Sequence, residues 1–260
     1  MFRKIKNGES IRLFGKVAIV TGGSGTLGRS IVEEFFKEGS DVVLTYFVDK
    51  KNADMLVSKA RIYKRKCFAI KCDVRNINDI KNVVNTALQH FKKVDILINN
   101  AGVADNVSLE NITEDIWNNV IDTDLKGPFY FCKLISSIMK KQGYGKIINI
   151  SSIGGIKGTY NQASFGAAKS GLIGFTRSLG IELAHYNINV NAIAPGVIET
   201  ENKPKEEYRK IANIIPIKKV GKPIDIARMA VFLASSDSDF IVGQTFIVDG
   251  GHSNAVFYDY

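Results

Sequence analysis

The sequence predicts an α/β protein: a single domain over residues 1–260, built as one doubly wound parallel sheet with helices on both faces. Short apolar runs alternate with stretches of helical periodicity from Lys16 to Gly251. The first run, Val17-Ala-Ile-Val20, is apolar at every position, the pattern of a strand buried on both faces. No linker or internal repeat divides the chain, and 260 residues fit one large domain.

Lys16–Thr21 is the first strand, and it enters the glycine cluster Thr21-Gly-Gly-Ser-Gly-Thr-Leu-Gly28. Arg29–Glu38 follows with Ile31, Val32, Phe35 and Phe36 at helical spacing. Asp41–Tyr46 is a second strand, then a helical pattern runs from about Ala53 to Lys66. Cys67–Cys72 is a third strand ending in Asp73, and Ile77–Phe91 carries Ile80, Val83, Val84 and Leu88 on one helical face. Asp95–Ile98 is a fourth strand running into Asn99-Asn-Ala-Gly102. One long helical region spans Thr113 to Gln142 and contains Asp122-Thr-Asp-Leu-Lys-Gly127. Lys146–Ile150 is a fifth strand ending in Ser151-Ser152. A helix carrying Phe165 and Lys169 continues to about Ala184, and Asn189–Ala194 is a sixth strand closed by Pro195-Gly196. Glu199–Gly221 breaks the rhythm: it is charged, holds Pro204 and Pro216, and has the profile of a substrate lid with a short helix. Ile224–Ala234 is the last helix and Gln244–Gly251 the last strand and turn.

Bulk composition excludes several classes. Hydrophobic residues make up 45% of the chain and mean hydropathy is −0.01, values of a soluble globular protein. No apolar run approaches the roughly 18 residues of a membrane span, and the charged stretch Met1–Gly15 lacks the apolar core of a signal peptide. Cys67, Cys72 and Cys132 have no paired metal spacing, so no metal is expected. They read as buried reduced thiols of a cytoplasmic protein. The net charge is +9, but the lysines are scattered, so a solvated basic surface is expected and not a nucleic-acid site. An acidic carrier protein is compatible with that surface.

Four features fall at strand C-termini: the glycine turn, Asp73, Asn99–Gly102, and Ser152 with Pro195-Gly196. In an open α/β sheet ligands bind at that edge. Glycines between a strand and a helix allow a tight turn and close approach of a pyrophosphate to a helix N-terminus. Singly, each feature also has a structural explanation: Asp73 a helix cap, Asn100 a strand stabiliser, Ser152 a turn residue.

Together, and in this order, they resemble the short-chain dehydrogenase/reductase family across nearly the whole chain, most of all its 3-oxoacyl-carrier-protein reductases. Asn99-Asn-Ala-Gly102, Ala194-Pro-Gly-Val-Ile-Glu-Thr200 and Gly243-Gln-Thr-Phe-Ile-Val-Asp-Gly-Gly251 carry the likeness. The resemblance implies a Rossmann-type fold, a nicotinamide dinucleotide, and a homodimer or homotetramer. It implies that Gly22, Ser24, Gly25, Leu27 and Gly28 hold the pyrophosphate and that Asp73 and Val74 contact adenine. Asn100, Ala101 and Gly102 would line the adenosine ribose, and Lys169 would bind the nicotinamide ribose. Pro195, Gly196, Val197, Ile198 and Thr200 would border the nicotinamide, while Ser152 would hydrogen-bond the substrate carbonyl. Ser152 and Lys169 are the catalytic candidates.

The chain departs from the family pattern at three places. Thr26 stands where single-domain members carry a glycine, so the turn follows the spacing Gly22, Gly25, Gly28 of the extended branch. Phe165 stands where the family's Tyr-x-x-x-Lys pattern has its acid. In the family that tyrosine donates the proton as hydride arrives, and the lysine lowers its pKa. Tyr160 lies nine residues from Lys169, off its helical ridge, and is a poor substitute. Asp124 stands where the family has an asparagine. It would favour a charged lysine, as a paired interior acid or as a source of a proton.

The second strand ends in Tyr46-Phe-Val-Asp-Lys-Lys51, with no acid at the first position and two lysines nearby. This favours NADP(H) over NAD(H). Two functions from different classes remain. One is an oxidoreductase acting on a carbonyl or hydroxyl group, a 3-oxoacyl thioester among the candidates, with weakened or rerouted proton donation. The other is a catalytically inactive nucleotide-binding or scaffold relative. An engineered Tyr-to-Phe variant is a third origin of Phe165, although Asp124 and Thr26 point to natural divergence.

Overall fold

In the computed structural model, residues 4–6, 9–201 and 204–255 are described. A short antiparallel ribbon, β1 (Lys4–Lys6) with β2 (Glu9–Ile11), precedes the main sheet. The seven sheet strands are β3 (Val17–Val20), β4 (Asp41–Tyr46), β5 (Cys67–Lys71), β6 (Ile96–Asn99), β7 (Gly145–Ile150), β8 (Ile188–Pro195) and β9 (Thr245–Val248). All pairs are parallel, in the order β5-β4-β3-β6-β7-β8-β9. This is the expected single-domain α/β fold.

Strand residues divide between two cores by alternation. Ala18, Val20, Val42, Leu44, Ile96 and Ile98 pack with α1 (Thr26–Lys37), α2 (Lys50–Ala60) and α9 (Pro223–Ala234) on one face. Ile19, Val43, Leu97 and Ile147 pack with α3 (Ile77–Phe91), α5 (Gly127–Gln142) and α7 (Ala163–Leu183) on the other. The remaining helices are α4 (Glu114–Ile121), α6 (Gly154–Lys157) and α8 (Lys205–Asn213). The chain runs outward from β3 through β4 and β5, then crosses back to β6, so strand order reverses between β3 and β6. Their C-terminal ends deliver Thr21–Gly28 and Asn99–Gly102 to opposite sides of one crevice.

Several boundaries differ from the sequence reading. The long helix expected over Thr113–Gln142 is two helices, α4 and α5, joined by a π-helical segment at Asp122–Lys126. Pro128 in the first turn of α5 has no N–H to donate to the preceding turn. The wider turn buries Thr123 and Asp124. The second helix starts at Lys50, before the expected Ala53, because Asp49 caps it by accepting from the Asn52 N–H at 3.0 Å. It ends at Ala60, where a 3-10 turn leads to Lys64 in the left-handed region at φ 55°.

Lys146 is 1% exposed on β7, and its Nζ donates to Asn189 Oδ1 at 2.9 Å and Asp239 Oδ1 at 2.7 Å. It ties β7 to β8 and to the turn after α9. Lys146→Ala removes the long stem and strands the Asn189 acceptor, so stability falls by about 2–4 kcal/mol, read as a lower urea midpoint at unchanged slope.

Candidate active site

The crevice at the strand C-termini is a cleft of about 540 Å³. Gly22, Ser24, Gly25, Leu27 and Gly28 form one wall, and Asn100, Ala101 and Gly102 face them. Asp73, Val74 and Thr200 complete the expected residues that line it.

The two walls are bolted by Thr21. Its Oγ1 accepts from the Asn100 and Ala101 N–H groups, both at 2.9 Å, and Asn100 Nδ2 returns bonds to Thr21 O at 2.8 Å and Gly22 O at 3.1 Å. Asn100 therefore stabilises the strand ends as well as lining the cleft. Thr21→Val keeps the shape but leaves two backbone N–H groups without an acceptor. A loss of about 1–3 kcal/mol of stability is expected, with NADPH affinity falling in the same variant by calorimetric titration.

Gly22 lies at φ 60°, and a Cβ there would meet Ala101 Cα at 2.9 Å. Gly25 differs: a Cβ would meet only Gly22 O, at 3.4 Å. Gly25 is the N-cap of α1, which has no side-chain cap bond and no acidic residue in its first turn. Bare N–H groups beside an open cradle fit a pyrophosphate. The displaced glycine thus still leaves open space at Gly25.

At the other end Asp73 is clamped by Arg75. Nε lies 2.9 Å from Oδ1, Nη2 lies 2.6 Å from Oδ2, and Nη1 reaches Asn119 Oδ1 at 2.8 Å. The guanidinium holds the Asp73 carboxyl below its ordinary range. Asp73 is not the cap of α3, a role taken by Asn76. The Arg75 guanidinium also sits 5.9 Å from the ring centroid of Phe47, which lines the cleft with Val48 and Asp49. Sequence reasoning missed Arg75 and Asn119, and read Phe47 only as the lack of an acid after the second strand and not as a wall of the cleft.

Behind Gly102 lies the charged centre. Helix α7 is fixed to the end of β7 by Ser151 Oγ donating to Lys169 O at 3.0 Å, and to α6 by Ser170 Oγ donating to Gly155 O at 2.7 Å. This places Lys169 Nζ 2.9 Å from Ile150 O and 3.0 Å from Asp124 Oδ2. Asp124 is fully buried, and Oδ1 accepts from the Val103 N–H at 2.8 Å. Burial pushes its carboxyl above the ordinary range, opposed by Lys169 and by the Val103 N–H. The pairing of an interior acid with Lys169 is present. Phe165 is half-buried with its ring centroid 5.6 Å from Lys169 Nζ, so the hydrocarbon ring sits over the ammonium. Tyr160 is 89% exposed and belongs to no part of this centre. Asp105, which sequence spacing did not signal, is buried and accepts from Ser164 Oγ at 2.6 Å.

Ser152 is half-buried at the end of β7, and its Oγ accepts from the Gly154 N–H at 3.0 Å. The turn role and a free hydroxyl hydrogen coexist. Pro195 accepts from the Ile153 N–H at 3.0 Å and Gly196 donates to Val248 O at 3.0 Å, so that strand end is held from both sides. Val197 O accepts from the Gly221 N–H at 3.0 Å, Ile198 bridges Gly221, and Glu199 donates to Gly221 O at 2.8 Å. The excursion thus leaves and returns at one point. Tyr208 of α8 closes it, its hydroxyl accepting from the Thr200 N–H at 2.8 Å. Glu201 pairs with Arg29 of α1 at 2.8 Å. Pro195, Gly196, Val197, Ile198, Ser152 and Lys169 lie outside the cleft lining itself. The aromatic tail Phe257–Tyr260, expected to shape a pocket or subunit contact, lies outside the described residues, as do 202–203.

Cys67, Cys72 and Cys132 are free and buried, and burial pushes each thiol up to about 12. Among the described residues no helix is long and apolar enough to cross a membrane.

Comparison with known proteins agrees with this geometry. The family described as Enoyl-(Acyl carrier protein) reductase matches residues 23–253. The 3-oxoacyl-(acyl-carrier-protein) reductase of Thermotoga maritima is 37% identical over 244 residues, covering 93% of this chain and 99% of the relative. That of Chlamydia pneumoniae is 39% identical over 247 residues, covering 93% and 98%. Among solved structures, levodione reductase superposes with a TM-score of 0.90 at 28% identity, covering 94% of this chain and 100% of the other.

Proposed function

We propose that this chain, which belongs to the short-chain dehydrogenase/reductase family of oxidoreductases, moves hydride between a nicotinamide dinucleotide and a carbonyl or hydroxyl compound with an impaired proton step. The observation that carries the reading is the Gly25 cradle at the bare N-terminus of α1, set opposite Asn100–Gly102. When bound there, the dinucleotide supplies or accepts the hydride. NADP(H) is favoured over NAD(H), because the end of β4 presents Phe47 in place of an acid and Lys50 and Lys51 follow. The 3-oxoacyl-carrier-protein reductases among its relatives make a 3-oxoacyl thioester the first candidate substrate.

The residues take these parts. The α1 N-terminus and the glycine turn hold the pyrophosphate, and Asp73 with Val74 holds the adenine. Lys169 Nζ, fixed by Ile150 O and Asp124, has a donor left for the nicotinamide ribose. Ser152 Oγ, already accepting from Gly154, donates its hydrogen to the substrate oxygen. Pro195–Ile198 and Thr200 border the nicotinamide, and residues 199–221 form the substrate lid. A cytoplasmic homodimer or homotetramer completes the reading.

Phe165 favours a second reading, binding without turnover. The two separate in one assay: NADPH titration of the full chain, then NADPH oxidation across a broad ketone panel. Slow but measurable reduction is expected. Saturable NADPH binding with no ketone reduced removes the catalytic part and leaves the binding protein.

A further inference from the structure

Lys169 is the ionisable side chain placed against the Phe165 ring, and two buried carboxyls lie one contact further away. Lys169, one turn along α7, has its Nζ 5.6 Å from the Phe165 ring centroid. Asp124, from the π-helical segment, has Oδ2 3.0 Å from that Nζ. Asp105, from the loop after β6, accepts from Ser164 Oγ at 2.6 Å, on the residue before Phe165. A lone ammonium stabilises an anion beside it. An ammonium in contact with a carboxylate has no net charge, and its field falls off faster with distance.

A phenyl ring has no proton to release, so nothing at position 165 calls for an uncompensated cation. The same site holds a carboxylate where the family pattern has a neutral amide. The π-helical turn buries that carboxylate completely, and a lone buried carboxylate would be costly without Lys169. Lysine and aspartate therefore form one ion pair, and the aromatic beside the lysine takes no part in it.

We propose that Asp124 neutralises Lys169 toward position 165, so that Asp124 and Phe165 form one coupled change, and an acid restored at 165 works fully only when Asp124 is also made uncharged. This rests on the oxidoreductase reading for the reaction it concerns. Asp124 is a positioning and charge-setting residue here, acting through Lys169.

The test uses the full chain carrying Phe165→Tyr, alone and with Asp124→Asn. Ultraviolet difference spectra of each variant against its Phe165 counterpart cancel the other tyrosines and titrate only the added phenol. The phenol midpoint is expected to lie lower in the double variant by about one pH unit or more. Ketone reduction by NADPH at neutral pH is expected to be roughly tenfold faster in the double variant than in the single one. Equal midpoints, or a lower one in the single variant, overturn the proposal. Asp124→Ala in the Phe165→Tyr background gives the same comparison without relying on asparagine at 124. A lowered Tm with an unmoved phenol midpoint marks Asp124 as merely structural and also overturns it. The phenol titration needs neither cofactor nor substrate, so its failure is distinct from failure of the oxidoreductase reading.

Discussion

Phe165→Tyr raises the rate of ketone reduction by about 10²-fold, the lower part of the roughly 10²–10⁴ that a general acid contributes. The gain is a kcat effect of about 3 kcal/mol in the barrier. The ring is already in place: it lies over Lys169 Nζ, and Ser152 stands at the end of the strand that leads to it. The gain falls short of the upper range because Asp124 sits 3.0 Å from the lysine that would lower the phenol's pKa. Steady-state NADPH oxidation with saturating ketone measures it. No change in kcat, with NADPH binding intact, would show that the site has diverged beyond the loss of one phenol.

Gly28→Ala abolishes dinucleotide binding and destabilises the fold by about 2–4 kcal/mol. A Cβ at Gly28 would stand 2.2 Å from Gly22 O and 2.7 Å from Gly23 Cα, and both are backbone atoms that cannot rotate away. Gly25→Ala is the informative partner. Its Cβ meets only Gly22 O at 3.4 Å, so the protein folds with near-normal stability. The methyl group instead occupies the space between the α1 N-terminus and the opposite wall. NADPH affinity is expected to fall at least about tenfold, or roughly 1.4 kcal/mol. Urea denaturation and NADPH titration of the two variants separate a glycine needed by the fold from one needed by a ligand.

Much of this was legible before the structure. Continuous apolar runs such as Val17–Val20 and Ile96–Ile98 place strands inside a sheet covered on both faces, because nothing polar interrupts them. The glycine turn and Asn99–Gly102 were legible because backbone conformation and close approach restrict residue choice locally. The π-helical segment was not foreseen: Leu125 keeps helical spacing with Ile121, so the helical reading carried across it, and Gly127-Pro128 was the local signal. Arg75 and Asp105 were missed for another reason. Asp105 pairs with Ser164, 59 residues away, and Arg75, besides its near neighbour Asp73, reaches Asn119, 44 residues away; pairing of single polar side chains leaves no period in a sequence. Asp124 stands between these cases. Its identity marked a departure, but its complete burial against Lys169 depends on the π turn.

The central claim, a dinucleotide cleft kept intact around a missing acid, is tested most directly by calorimetric NADPH titration of the full chain with Phe165 in place. Saturable binding at one site per chain, weakened in Gly25→Ala, is the predicted result. Absence of NADPH and NADH binding to the folded chain, or equal affinity in Gly25→Ala, would contradict it.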